Sequence, residues 1–147
     1  MHGGSWVGFR TAIVRFPDAS VTVAVLANQA ETDPEAIAVR IGLLGLGRPV
    51  ERPIARAIAV SRLAELAGRY TVAPGVAATV VTSGPRPAVD LRQMGRFTLG
   101  FDSDSTAFAI GNDLFRFAFH RGANGRVEQL EIQRMGRTVA VGRRSAK

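Results

Sequence analysis

The sequence predicts a mainly β (α+β) fold: an N-terminal β-hairpin with one helix, then an antiparallel barrel of approximately eight strands. Three observations carry this. Two runs rich in β-branched and aromatic residues, Phe9 to Phe16 and Val21 to Ala27, flank a Pro-Asp-Ala-Ser turn. A helical pattern opens at Asp33-Pro34. From Arg69 onward the texture changes to short extended runs broken at regular spacing by turn residues.

In the hairpin, Pro17 suits the second position of a turn and Asp18 follows it, which is hairpin-compatible chemistry. The run "VTVAVLA" at 21–27 is apolar on both faces, as expected of a strand covered above and below. The next element, "DPEAIAVRIGLLGLG", begins where Asp33 can accept from free backbone amides. Pro34 suits the first helical position, and Glu35 complements the positive end of the helix dipole. Ile37, Ile41 and Leu44 fall on one face, with Val39 and Leu43 widening it, so the helix is expected to bury most of its girth; Gly47 supplies a stop. Pro49 and Pro53 forbid a continuous helix and favour an extended connector. Ser61 can then cap a short helix ending at Gly68. The expected divisions are 1–47 for the hairpin and helix, 48–60 for a Pro/Arg linker, and 61–147 for the barrel.

Within the barrel, candidate strands start near Arg69, Val76, Ala88, Arg96, Ser105, Leu114, Arg126 and Thr138. The breaks between them fall at Pro74-Gly75, Gly84-Pro85, Met94-Gly95, Asp102 to Asp104, Gly111-Asn112, Ala123-Asn124-Gly125 and Met135-Gly136. Such a meander is most economically closed, because closure hides both edges. Phe115, Phe117 and Phe119 share one face of their strand, while Val127, Leu130 and Ile132 compete for the inner face, which makes a bulge between them plausible. These phenylalanines, with Phe97, Phe101 and Phe108, are expected to fill the barrel rather than line a ligand cavity, since nothing polar is obviously placed to orient a ligand. Tyr70 with Gly68 is read as closing the barrel's end, and His120 beside Arg121 as a solvated residue at a strand end.

Composition narrows the chemistry. With 46% hydrophobic and 21% charged residues, a packed core is expected. No apolar run reaches the roughly 18 residues a membrane helix needs, and no secretory signal is visible. The absence of cysteine removes disulfides, thiol catalysis and thiolate zinc sites. His2 and His120 are the only imidazoles, so neither a metal site nor a cofactor is expected. The net charge is +7, but the arginines are spread from Arg10 to Arg144 without a dense cluster, which reads as a solvated surface, so no nucleic-acid partner is expected.

The order "HGGSWVGFRTAIVRFPDASVTVAVLANQAETDPEAIAVRI" resembles the end of the serine β-lactamase and penicillin-binding fold, in the group of class C β-lactamases, D-aminopeptidases, DD-peptidases and related esterases. His2-Gly3-Gly4 is similar to that family's Lys/His/Trp-x-Gly strand motif, "VAVLANQ" at Val23 to Gln29 to its hairpin partner, and Pro34 to Gly45 to its C-terminal helix. The later residues, with Gly68-Arg69-Tyr70 and "RGANGRVEQLEIQRMGR", resemble the lipocalin-like barrel appended to such hydrolases.

This resemblance implies an acyl-transfer site. There the amide of Ser5 would donate to the oxyanion, His2 would project toward a substrate carboxylate or the proton-moving groups, and Gly3 and Gly4 would let substrate approach the strand. Trp6 is either a substrate contact or a packing residue. It also implies an extracytoplasmic location for a full-length parent.

The chain departs from the family where chemistry is done. No serine has a lysine three residues on, Lys147 being the sole lysine, and Tyr70, the sole tyrosine, is followed by Val72 where Tyr-x-Asn would need a polar residue. Without nucleophile and base, His2 to Ser5 cannot hydrolyse a substrate by this mechanism. The expectation is therefore a C-terminal portion of a longer hydrolase, inactive alone, with a small-molecule substrate only if completed. Its partners would be the missing catalytic portion or a second copy, met through the exposed hairpin. The alternative is a non-catalytic, lipocalin-like module for binding a small ligand or a partner.

Overall fold

The computed structural model describes the chain apart from Glu31, Glu51, Arg52, Pro74, Pro85, Gln93, Ala146, Lys147 and the side chain of Asp113. Two compact units emerge, Met1–Arg52 and Pro53–Lys147. Pro74 and Pro85 of the expected breaks, and Glu51 and Arg52 of the expected linker, lie outside the described residues.

The first unit is a three-stranded antiparallel sheet in the order β1 (His2–Trp6), β2 (Phe9–Phe16), β3 (Val21–Ala27), followed by α1 (Pro34–Gly45). Val7-Gly8 makes the first turn, with Gly8 at φ +77° supplying the left-handed conformation that two-residue hairpins need. Pro17–Ala19 forms a single 3-10 turn into β3. Asp33 caps α1 as its position predicts, its carboxylate accepting from the Ala36 amide at 3.0 Å.

The buried face of α1 differs from the expected one. Ala36, Ala38, Val39 and Gly42 are buried, whereas Ile37, Ile41 and Leu44 are 36%, 48% and 63% exposed. The reason is closeness of approach. A Cβ on Gly42 would sit 2.1 Å from Cε2 of Phe16, so the small residues let the helix lie down on the sheet at a distance the isoleucine face would forbid. The helix thus buries a narrow ridge, not most of its girth.

Register places Ala12 opposite Val25 and Val14 opposite Val23 on the face beneath α1, and Ala12 and Val14 are buried there. The other face carries Ile13 opposite Ala24 and Thr11 opposite Leu26, and Leu26 is 81% exposed. So β3, apolar on both faces, has cover on one only.

In the second unit, α2 (Val60–Leu66) leads into eight strands: β4 (Gly68–Ala73), β5 (Val76–Val81), β6 (Ala88–Leu91), β7 (Gly95–Phe101), β8 (Thr106–Ala109), β9 (Asn112–Arg121), β10 (Val127–Arg134) and β11 (Arg137–Arg144). Each pairs with its sequence neighbour, and β11 closes the barrel on β4 through Arg143 opposite Thr71 and Arg144 opposite Tyr70. A register shift between Val127 and Gln129 against β9 lets Val127, Leu130 and Ile132 all face inward, and Phe115, Phe117 and Phe119 are buried beside them. Ser61 does not cap α2: the helix begins one residue earlier, with Ala59 at the N-cap and no side-chain bond there.

One end of the barrel is sealed. Leu66 is buried, and the Tyr70 hydroxyl donates to its carbonyl at 2.7 Å. Arg144 donates to the carbonyls of Glu65, Ala67 and Val127, with its guanidinium 5.7 Å over the Tyr70 ring. Burial pushes the Tyr70 hydroxyl above its ordinary pKa, against the opposing field of Arg144.

Candidate functional site

The sequence-predicted site residues all lie on β1, the edge strand of the first sheet. His2 pairs with Ile13, Gly4 with Thr11 and Trp6 with Phe9, which puts His2, Gly4 and Trp6 on the face opposite α1. Trp6 is 79% exposed there. Gly3 and Ser5 alternate to the α1 side.

The direction of the Ser5 amide follows from the hairpin. Trp6 and Phe9 bracket a two-residue turn, so they form a hydrogen-bonded pair. Bonded and non-bonded pairs alternate along an antiparallel ladder, so Ser5 opposite Arg10 is non-bonded and its N–H points away from β2, toward the sheet's outer edge. A donor for an oxyanion needs that orientation.

The glycines answer first to their neighbour strand. A Cβ on Gly4 would lie 2.9 Å from the Thr11 hydroxyl oxygen, and that hydroxyl donates to the Gly4 carbonyl at 3.4 Å. A Cβ on Gly3 would lie 3.2 Å from the Thr11 carbonyl oxygen. Close approach of β2 is therefore sufficient reason for both glycines.

Two apolar residues share the open face with His2 beyond those the sequence points to: Ile13, directly opposite it, and Leu26, opposite Thr11 on β3. The alternation of "FRTAIVRF" carried the signal, since Ile13 shares a face with Phe9 and Thr11. The face thus offers one imidazole, a tryptophan and an apolar floor, with an amide at its edge. Among the described residues no group of three or more His, Cys, Asp or Glu is placed to hold a metal.

The polar clusters of the barrel are structural in arrangement. His120, solvent-exposed near the end of β9, meets Glu131 across the strands at 2.9 Å. The Thr138 hydroxyl, the Gln133 amide and His120 bring the Glu131 carboxyl down to about 2. Partial burial works to raise Asp102, but hydrogen bonds from Thr106 and Arg116 outweigh it and hold the carboxyl below its ordinary range.

No family model matches the chain, and no curated protein matches it. Among solved structures, it is similar to SurE with D-Leu, at 20% identity over 98% of this chain and 34% of that one, with a TM-score of 0.44. It is also similar to the octameric penicillin-binding protein homologue from Pyrococcus abyssi, at 21% identity over 97% of this chain and 32% of that one, with a TM-score of 0.36. The chain spans about a third of the length of each. At these scores neither likeness carries an argument about activity.

Proposed function

We propose that these 147 residues are the C-terminal segment of a β-lactamase-related serine hydrolase, one that transfers acyl groups from amide, β-lactam or ester substrates. In this reading β1 is the wall of the site, the Ser5 amide is an oxyanion donor, His2 and Trp6 face the substrate from the open side of the sheet, and Gly3 leaves the strand's edge clear for its approach. The Ser-x-x-Lys nucleophile and the Tyr-x-Asn group come from sequence outside these residues, so the chain alone is inactive. The observation that supports the reading is the outward-pointing Ser5 amide on an edge strand that also presents His2.

The test is complementation. A polypeptide encoded upstream and carrying both missing motifs, mixed or joined with this chain, should restore turnover of a chromogenic ester or cephalosporin. Ser5→Pro removes the N–H without touching the ladder, because that N–H faces the outer edge. It should lower kcat by about 10²–10³-fold, the loss typical of one oxyanion donor. Turnover by the chain alone, or an unaffected Ser5→Pro variant, sinks the assignment.

A further inference from the structure

The chain holds three asparagines, and they differ in the residue that follows: Gln29 after Asn28, Asp113 after Asn112, and Gly125 after Asn124. The difference is chemical. An asparagine amide can be attacked by the backbone nitrogen of the next residue, and a side chain on that residue screens the nitrogen. Asn124 lies in the loop 122–126 that joins β9 to β10, and residues 123–126 are exposed. A Cβ built on Gly125 would meet no atom beyond its chain neighbours within 4 Å, so the nitrogen is open on that flank.

The loop holds the reacting groups together. Asn124 Oδ1 accepts from the Arg126 amide at 2.8 Å, which folds the side chain back over the Gly125 peptide and draws electrons from its own carbonyl carbon. The Gly125 amide donates to the Gly122 carbonyl at 3.0 Å, and that bond must open before the nitrogen can attack. It is a single bond at an exposed loop tip, the kind that opens locally at small cost. Arg121 donates to the Gly125 carbonyl at 2.7 Å, and Arg62, Arg121, Arg126 and Arg144 line one cleft with Asn124. Glu65, which also lines it, is engaged by Arg62 at 3.1 Å and by Arg121 at 2.6 Å. Cations at this range favour both the loss of the amide proton and the oxyanion that forms on attack.

We infer that Asn124 is a site of backbone-assisted deamidation in the folded chain. The Gly125 nitrogen gives up its proton and bonds to Asn124 Cγ; the Cγ–Nδ2 bond breaks, and the amide nitrogen takes a proton and leaves as ammonia. Water then opens the cyclic succinimide at one of its two carbonyls. One opening gives aspartate, and the other gives isoaspartate, with the main chain rerouted through the side chain. Water is the only co-reactant and nothing is oxidised or reduced. Either product places a new carboxylate in the arginine cleft, where it competes with Glu65 for Arg121. The site belongs to the barrel alone and stands or falls separately from the hydrolase reading.

The test is to age the purified full chain in neutral and mildly alkaline buffers and map its peptides by mass spectrometry. Isoaspartate is located with an isoaspartyl methyltransferase and labelled S-adenosylmethionine. Conversion at Asn124 should run about tenfold or more ahead of Asn28 and Asn112, a barrier difference of about 1.4 kcal/mol. Its rate should rise with hydroxide concentration, because the attacking nitrogen must lose a proton. Asn124→Gln, whose longer side chain has to close a larger ring, should remove the signal, and Gly125→Ala should slow it. Each variant is accepted only with the parent's amide spectrum outside the loop. Asn124 left intact in the folded chain while the denatured chain converts overturns the proposal. So do equal rates at the three asparagines, isoaspartate that survives Asn124→Gln, or an unchanged rate in Gly125→Ala.

Discussion

The sheet of the first unit and the barrel of the second use similar strand sequences to opposite ends. The barrel closes on itself: every strand has two neighbours, and its core contains Tyr70, Phe101, Phe115, Phe117, Phe119, Leu130 and Ile132. The sheet has two outer edges and one covered face, and the buried hydrophobic residues of its unit are Ala12, Val14, Ala36, Ala38 and Val39, with no aromatic among them. Ile13, Leu26, Ile37, Ile41 and Leu44 remain outside. The difference teaches that strand-forming sequence does not make a self-sufficient core. Closure does, because it satisfies edges and converts one apolar face per strand into a shared interior.

The sharpest way to break this contrast is to divide the chain between the two units. Residues 53–147 should unfold cooperatively on their own, while residues 1–52 should lack cooperative unfolding. A non-cooperative barrel in calorimetry would end the comparison.

Single substitutions sharpen it. Phe117→Ala in the barrel should cost about 3–5 kcal/mol in denaturant unfolding, because it opens a cavity at a side chain that is almost wholly buried. Leu26→Ala in the sheet should fall within about 0.5 kcal/mol of the parent, since that leucine touches little. Gly42→Leu should destabilise the first unit by roughly 1–3 kcal/mol or more through collision with Phe16, whereas Gly45→Ala meets nothing and should be neutral or stabilising by about 0.5–1 kcal/mol.

The uncovered apolar face also predicts association. Sedimentation across micromolar concentrations should show dimers or larger species, and Ile13→Lys with Leu26→Lys should shift the chain toward monomer. A parent that is monomeric throughout that range counts against an interaction face.

The smallest effect is electrostatic. The Glu131 carboxyl titrates at about 2 in the folded chain against an ordinary 4.5, so its contribution to stability is present above 4.5 and lost as pH falls from there toward 2. In a melting series over that window the parent should lose stability faster than Glu131→Gln. The difference should be a few degrees at most, as suits a surface pair worth about 0.2–1 kcal/mol. Parallel curves would remove the hydrogen-bonded carboxylate from the account.

The barrel was legible in the sequence because its turns carry their own chemistry. Gly75, Gly84, Gly95, Gly111, Gly125 and Gly136 all have positive φ, and the strands between them alternate with period two. The α1 cap was legible for the same kind of reason, since Asp33 acts on an amide three residues away. Ser61 misled because a cap residue is recognised by where the helix begins, and α2 begins before it. The candidate site was legible as residue types, His2 to Ser5, but not as directions.

What the sequence determined by itself was local: the turns, the strand alternation, the helix start, and the absence of Ser-x-x-Lys and Tyr-x-Asn. Tertiary structure alone decided which face of α1 is buried, because hydrophobicity favours isoleucine while close packing against Phe16 favours glycine and alanine. It alone set the Ser5 amide outward, through the register of a hairpin pairing residues on opposite sides of a turn.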